Sequence, residues 1–318
     1  VFPYRTEDIS ALNWAVSKNN SWKFKYYLAL NNIAIQRRDD GMKLLRDCGQ
    51  EPDYAPFYLT RAALLTPKDD VQELADLQTA QKLAPNDWRT TIRLVSYYSD
   101  KKDYKTTLAL SSAAYKKDKA NSAITLQYVI ALINNGQYAN SLKLLDGMTL
   151  LPGEGSSEGK VVFEQATLFM AMDLMAKKKY TDAIKMVDKS KEWPERLGVG
   201  KPYVVDTRVQ DYLNIYCLEK LNRKSETEAL KKSIAEYKGG RRNQSFSNLL
   251  TIKVLNETGD KEAADEMIQK MQELNDPTQK WIVAQVKNRQ SAIADLEKQF
   301  GTDTNFLIMK RLLEVTGK

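Results

Sequence analysis

A repeat of 34 residues constrains this sequence more than any other feature. The segments that start at Tyr54, Trp88 and Ser122 align at steps of 34 residues without a gap. In this alignment Lys102-Asp103-Tyr104 falls on Gly136-Gln137-Tyr138, and apolar residues recur at the three- and four-residue spacing of amphipathic helices. Each repeat is therefore predicted to be two helices joined by a short turn.

Looser copies extend the pattern along most of the chain. One starts at Trp22, another near Glu164, and weaker copies start near Arg208 and Ser245. The last stretch, 277–318, is predicted to form a short helix pair and a terminal helix. Because a single amphipathic pair cannot bury its apolar faces alone, neighbouring pairs are expected to stack.

The repeat resembles the tetratricopeptide repeat, a 34-residue helix–turn–helix motif. The resemblance is most specific in the three contiguous copies. It implies an all-α fold, a right-handed α–α superhelix with a C-terminal capping helix. We expect one solenoid over residues 1–318, made of an N-terminal cap helix in 1–21, about seven repeats in 22–276 with long loops at 147–160 and 192–206, and C-terminal helices with a cap in 277–318.

The segments between the repeats show a second resemblance. Cys48–Tyr58, Leu151–Gly155, Lys191–Glu195 and Leu197–Tyr203 are similar to the C-terminal repeat region of large bacterial proteins. In that family the repeats follow mutarotase-like β-sandwich domains of unknown function. The chain begins at Val1 without a targeting segment, so we expect it to be a piece of a longer protein. The resemblance alone favours an exported, periplasmic setting over the cytoplasm.

Composition excludes several classes of function. The chain has no histidine, which removes histidine-based acid–base catalysis, catalytic triads and histidine metal ligands. Its two cysteines, Cys48 and Cys217, are too few for a disulfide framework or a thiolate metal site. The net charge of +7 is mild, and the basic runs lack the pattern of a nucleic-acid interface. We expect no enzyme, cofactor, metal, nucleic-acid partner or membrane span.

The first helix of each pair lines the concave face of a tetratricopeptide superhelix, and the residues expected on that face are mostly apolar or aromatic. A long apolar groove favours an apolar protein partner, because large exposed apolar patches are uncommon on monomers. The alternative is that tight winding lets these side chains pack against one another or against a loop. The predicted groove residues are Tyr26, Tyr58, Ile92, Leu126, Ile130, Leu168, Met172 and Tyr212.

The two long loops form a second candidate surface. Both connect the second helix of one repeat to the first helix of the next, so both are expected on the same edge of the solenoid. Aromatic and charged side chains there suit a polar ligand or another domain. The alternative is that Trp193 and Tyr203 fill the gap where the repeat spacing lengthens. The predicted edge residues are Glu154, Glu158, Trp193, Glu195, Lys201, Tyr203 and Arg208.

These observations predict a non-catalytic scaffold for protein–protein interaction. It is expected to dock onto its own upstream β-sandwich domains, or onto another protein, through the apolar groove and the loop edge. An alternative from another class is an accessory part of a carbohydrate-binding or carbohydrate-active protein, with Trp193 and Tyr203 shaping a sugar site. A third alternative is self-association through the groove.

Overall fold

The computed structural model describes residues 5–65, 69–153, 157–239 and 245–317. Within these ranges all regular structure is helical, with eighteen α-helices, two short 3-10 helices and no strand. The α-helices are α1 (Thr6–Lys18), α2 (Trp22–Ala34), α3 (Arg38–Asp47), α4 (Ala55–Leu64), α5 (Asp70–Leu83), α6 (Trp88–Asp100), α7 (Tyr104–Lys117), α8 (Ser122–Asn134), α9 (Tyr138–Asp146), α10 (Glu158–Ala176), α11 (Tyr180–Ser190), α12 (Arg208–Lys220), α13 (Thr227–Ala235), α14 (Asn248–Thr258), α15 (Lys261–Gln272), α16 (Pro277–Val286), α17 (Gln290–Phe300) and α18 (Thr304–Thr316). The predicted all-α, tetratricopeptide-like class is confirmed by these successive helix pairs.

The turns within the helix pairs share one backbone feature. Lys102 between α6 and α7 has φ 58°, and Gly136 between α8 and α9 has φ 71°. Glycine takes this left-handed conformation without strain, whereas a residue with a Cβ does so at a cost. The two positions that align in the sequence therefore form the same turn. Gln36, Lys178, Asn222, Gly259 and Asn288 take a positive φ at the turns of other pairs.

Aspartates set the starts of several helices. The Asp87 carboxylate accepts a hydrogen bond from the backbone N–H of Arg89 (2.9 Å) at the start of α6. Asp69 does the same for Val71 (2.9 Å) at the start of α5. The first turn of a helix has N–H groups without intrahelical partners, and a side-chain acceptor at the N-cap satisfies one of them.

The chain divides into two compact units, Val1–Gln127 (unit 1) and Tyr128–Lys318 (unit 2). The core of unit 1 includes Tyr26, Leu45, Phe57 and Ala80, all buried. It also contains a buried ion pair between Arg61 of α4 and Asp76 of α5. The single solenoid expected from the sequence stays a prediction.

In unit 2 the last helix, α18, packs against α10 and α12, the first helices of two earlier pairs. Its start joins an aromatic cluster in which Phe246, Trp281, Phe300 and Phe306 have ring centroids 5.0 to 5.9 Å apart. Near its end Arg311 forms an ion pair with Asp173 of α10. The terminal helix predicted from the sequence thus packs on the first helices α10 and α12, and its role as the cap of the stack stays a prediction.

Candidate functional site

An open pocket lies between α4 and α6, the first helices of two successive pairs in unit 1. Its volume is about 700 Å³, within the usual range of protein ligand sites. Because the lining residues within the described ranges belong to α4 and to the start of α6, the pocket lies on the first-helix surface where the groove was predicted. The lining residues are Pro56, Leu59, Thr60, Ala63 and Leu64 from α4, and Asp87, Trp88, Arg89, Ile92 and Arg93 from the start of α6.

The wall on the α4 side is apolar because this helix has two apolar faces. Phe57 and Tyr58 are buried in the core at 0% and 1% exposure. Leu59 and Ala63, four residues apart and therefore on one face of the helix, line the pocket instead. Thr60, between them, donates its hydroxyl hydrogen bond to the Pro56 carbonyl (2.7 Å). The pocket face of α4 therefore offers carbon surface and few free polar groups.

The α6 side of the pocket combines an indole ring with positive charge. The Arg89 guanidinium lies 4.9 Å from the centroid of the Trp88 ring, which is 36% exposed. Arg89 Nη1 is 3.4 Å from Asp87 Oδ1, the same oxygen that caps α6. Arg93 follows Arg89 by one helical turn and is exposed, and within the described ranges it has no hydrogen bond or ion pair. Positive charge therefore exceeds negative charge along this wall.

The structure places the eight predicted groove residues in two groups. Ile92 and Ile130 are half-buried, and Ile92 lines the pocket. The other six are buried at 7% exposure or less, so their side chains add to the packing and not to an open surface; they are Tyr26, Tyr58, Leu126, Leu168, Met172 and Tyr212. For these six residues a role in partner binding stays a prediction.

Sequence reasoning missed several residues of the pocket. It chose Tyr58 on α4, whereas the pocket is lined by Leu59 and Ala63, one position further along the helix. The Tyr58 hydroxyl instead donates a hydrogen bond to the Pro52 carbonyl (2.9 Å) inside the core. Trp88, Arg89 and Arg93 were also missed. The only signal for them in the sequence was an aromatic residue followed by two arginines at helical spacing.

The two long loops contact each other in unit 2. The Leu150 N–H of the first loop donates to the Arg196 carbonyl of the second (2.8 Å). Gly198, at φ 69°, lies so close to the first loop that a Cβ there would be 2.8 Å from the Leu151 carbonyl oxygen. This close approach, together with the left-handed backbone, requires glycine at position 198.

Of the predicted edge residues, Trp193 and Arg208 are engaged within the fold. Lys160 Nζ lies 5.1 Å from the centroid of the Trp193 ring and pairs with Glu164 (2.9 Å). Arg208 is 2% exposed and pairs with Asp206 (2.7 Å). Placing Arg208 on an open edge was therefore wrong for its side chain, since the guanidinium is held inside the unit. Glu158, Glu195, Lys201 and Tyr203 are exposed, whereas Glu154 lies outside the described residues.

Both cysteines are buried thiols. Burial raises the pKa of Cys48 to about 11 and that of Cys217 to about 12. A nucleophilic cysteine needs an accessible thiolate near neutral pH, and these environments disfavour the thiolate. The two side chains are therefore core residues and give no nucleophilic site.

None of the helices in the described ranges has both the length and the apolar character needed to cross a bilayer.

No family model and no curated protein sequence matches this chain. Among solved structures, it is similar to a chain of "Structure of Naa15/Naa10 bound to HypK-THB", with 15% identity and a TM-score of 0.44 over 97% of this chain and 49% of that one. It is also similar to the crystal structure of yeast Tom70, with 13% identity and a TM-score of 0.28 over 97% of this chain and 80% of that one. The chain thus spans about half the length of the first. Likenesses at these TM-scores carry no weight for fold or function, so the fold assignment rests on the helix pairs themselves.

Proposed function

We propose that this protein is a non-catalytic scaffold that binds a protein partner, and that the α4–α6 pocket receives apolar side chains of that partner. The observation that carries this proposal is the open apolar wall of Leu59 and Ile92 beside Arg89 stacked on Trp88. Tryptophan and arginine are the residues most enriched where protein interfaces concentrate their binding energy.

The energetics of the pocket suit such binding. Each aliphatic side chain that a partner buries there contributes about 1.5–3 kcal/mol. Because both walls are regular helices, little backbone ordering opposes the association.

The partner is either another protein or a domain upstream in the same polypeptide. The similarity of the segments between the repeats to bacterial proteins with an N-terminal β-sandwich supports the second source. A β-sandwich of the kind that precedes the repeats in those bacterial proteins, supplied as a separate chain, is therefore the first partner to test.

The test compares three versions of the chain in binding to that β-sandwich and to proteins of the source cell. Ile92→Glu places a carboxylate in the apolar wall. Val71→Glu is the matched control, because Val71 is 80% exposed and is not a pocket residue. We expect a partner whose Kd, measured by calorimetry with the purified protein, rises at least tenfold with Ile92→Glu and is unchanged with Val71→Glu. Equal binding to all three chains, or the lack of any partner, would contradict the proposal.

A further inference from the structure

Unit 2 contains an example of how a helix covers a first-helix surface of this chain. The helix α18, which packs against α10 and α12, has a stripe of buried apolar side chains, Phe306, Ile308, Met309 and Leu312, which are 0% to 5% exposed. Beside the stripe, Arg311 pairs with Asp173, and its guanidinium lies 5.3 Å from the centroid of the Phe169 ring. The bound helix is thus held by apolar packing and by two charged contacts, since Lys310 also pairs with Glu297 (2.7 Å).

The sequence of α10 can be aligned with that of α6 through the left-handed turn residues that follow the two helices, Lys178 and Lys102. Phe169 lies as many residues before Lys178 as Arg93 lies before Lys102. Where α10 offers an aromatic ring to an arginine, α6 therefore offers an arginine. Asp173, the carboxylate that pairs with Arg311, aligns with Tyr97 on α6. The α6 surface therefore lacks that negative charge and carries the positive charge of Arg93 instead.

We propose that the occupant of the α4–α6 pocket is an amphipathic helix of the partner with an aspartate or glutamate beside its apolar stripe, and that this carboxylate pairs with Arg93 and Arg89. This inference rests on the proposed function and names the chemistry of the partner. A carboxylate fits the wall because Arg93 has no partner within the described ranges, and because Asp87, the one acidic lining residue, already caps α6. A basic helix would meet two like charges instead.

The pocket favours a helix over an extended segment. An extended peptide leaves its backbone N–H and C=O groups in need of partners, whereas a helix satisfies them internally. Both walls of the pocket are helices, in which most backbone groups bond within the helix, and the Asp87 carboxylate accepts the Arg89 N–H at the start of α6. The Thr60 hydroxyl is also engaged, with Pro56 and with the Tyr26 hydroxyl at 3.1 Å. The pocket therefore offers an occupant side-chain contacts and charge.

The test uses labelled peptides built on the α18 sequence, Thr304–Thr316, blocked at both ends and titrated into the whole chain by fluorescence anisotropy. One peptide keeps the native sequence. The second carries Lys310→Glu and Arg311→Glu, and the third carries Lys310→Gln and Arg311→Gln. We expect the glutamate peptide to bind at least tenfold tighter than the native peptide, and the glutamine peptide to fall between them.

A charge reversal at Arg93 tests whether the difference in affinity between the peptides arises in the α4–α6 pocket. Arg93 is exposed, so Arg93→Glu is compatible with folding, and a circular dichroism spectrum verifies that. With Arg93→Glu we expect the order of the glutamate and native peptides to invert. A glutamate peptide that also carries Met309→Pro, which prevents a regular helix, is expected to bind at least tenfold more weakly than its parent.

Each remaining outcome overturns the inference. If Ile92→Glu weakens binding of all peptides but their charges make no difference, the pocket binds apolar segments and the acidic helix is ruled out. In that case the proposed function still stands. If the proline peptide binds as well as its parent, the occupant is not a helix. If no peptide binds, the inference fails, and the proposed function is decided separately by the partner titration with Ile92→Glu and Val71→Glu.

Discussion

Arg61 and Asp76 place opposite charges inside unit 1, out of contact with water. The Arg61 guanidinium donates to both carboxylate oxygens of Asp76 (2.8 and 2.7 Å), and the two side chains are 4% and 0% exposed. The guanidinium also lies 5.0 Å from the centroid of the Phe57 ring, and Gln72 donates to Asp76 (2.8 Å). The hydrogen bonds and ring contacts of the two charged groups offset the cost of removing them from water.

Removing one partner of this pair is expected to cost far more than removing both. Arg61→Met leaves a buried carboxylate without its cation, and Asp76→Leu leaves a buried guanidinium. Each single variant should lower the free energy of unfolding by about 3–5 kcal/mol. The double variant, in which no buried charge is left unpaired, should lose less than either single variant. Urea unfolding of the four chains measures the cycle, and additive losses would show that the two charges do not depend on each other.

Single residues show most clearly what the sequence does not reveal. Arg208 follows a long loop, and nothing local distinguishes it from an exposed cation. Its guanidinium is nevertheless buried because Asn248 (2.8 Å) and Thr251 (3.0 Å) of α14 accept hydrogen bonds from it. Those acceptors lie about 40 residues further along the chain, so only the packing of α12 on α14 brings them to Arg208.

At the scale of elements, the helix pairs could be predicted because their signals are local. The repeat spacing, the aligned turn residues Lys102 and Gly136, and the apolar periodicity all act within a few residues of the structure that they specify. The packing of α18 on α10 was not predictable in this way. Its apolar stripe around Leu312 predicts that the helix is buried, but it does not say which helices cover it. The pocket between α4 and α6 was not predicted for the same reason, since its lining depends on which face of α4 packs into the core.

The contact between α18 and α10 gives a prediction for one element. Leu312 is 0% exposed, so Leu312→Ala leaves a cavity and should lower the free energy of unfolding by about 2–5 kcal/mol. Binding of a hydrophobic dye should also rise as α18 loosens from the apolar side chains of α10. Glu314→Ala, at an exposed position on the same helix, is the control and should leave both readouts within error. A Leu312→Ala chain as stable as the wild type would show that α18 is not held by this packing.

At the scale of the whole molecule, each unit has its own core. Phe57 is 0% exposed in the core of unit 1, and Phe306 is 3% exposed in the aromatic cluster of unit 2. In a chain of stacked helix pairs most contacts join neighbours, so stability is a sum of local contributions and segments can open separately. A core defect is therefore expected to act mainly on its own unit.

Hydrogen exchange followed by mass spectrometry tests this separation. Phe57→Ala should speed exchange in α2 to α5 by roughly 100-fold or more, which corresponds to a loss of about 3–5 kcal/mol, while α10 to α18 keep their wild-type rates. Phe306→Ala should do the reverse. A comparable increase in both units for either variant would mean that the chain opens as one cooperative block. The α4–α6 pocket would then share the stability of unit 2, and a partner bound there would protect α10 to α18 as strongly as α4 and α6.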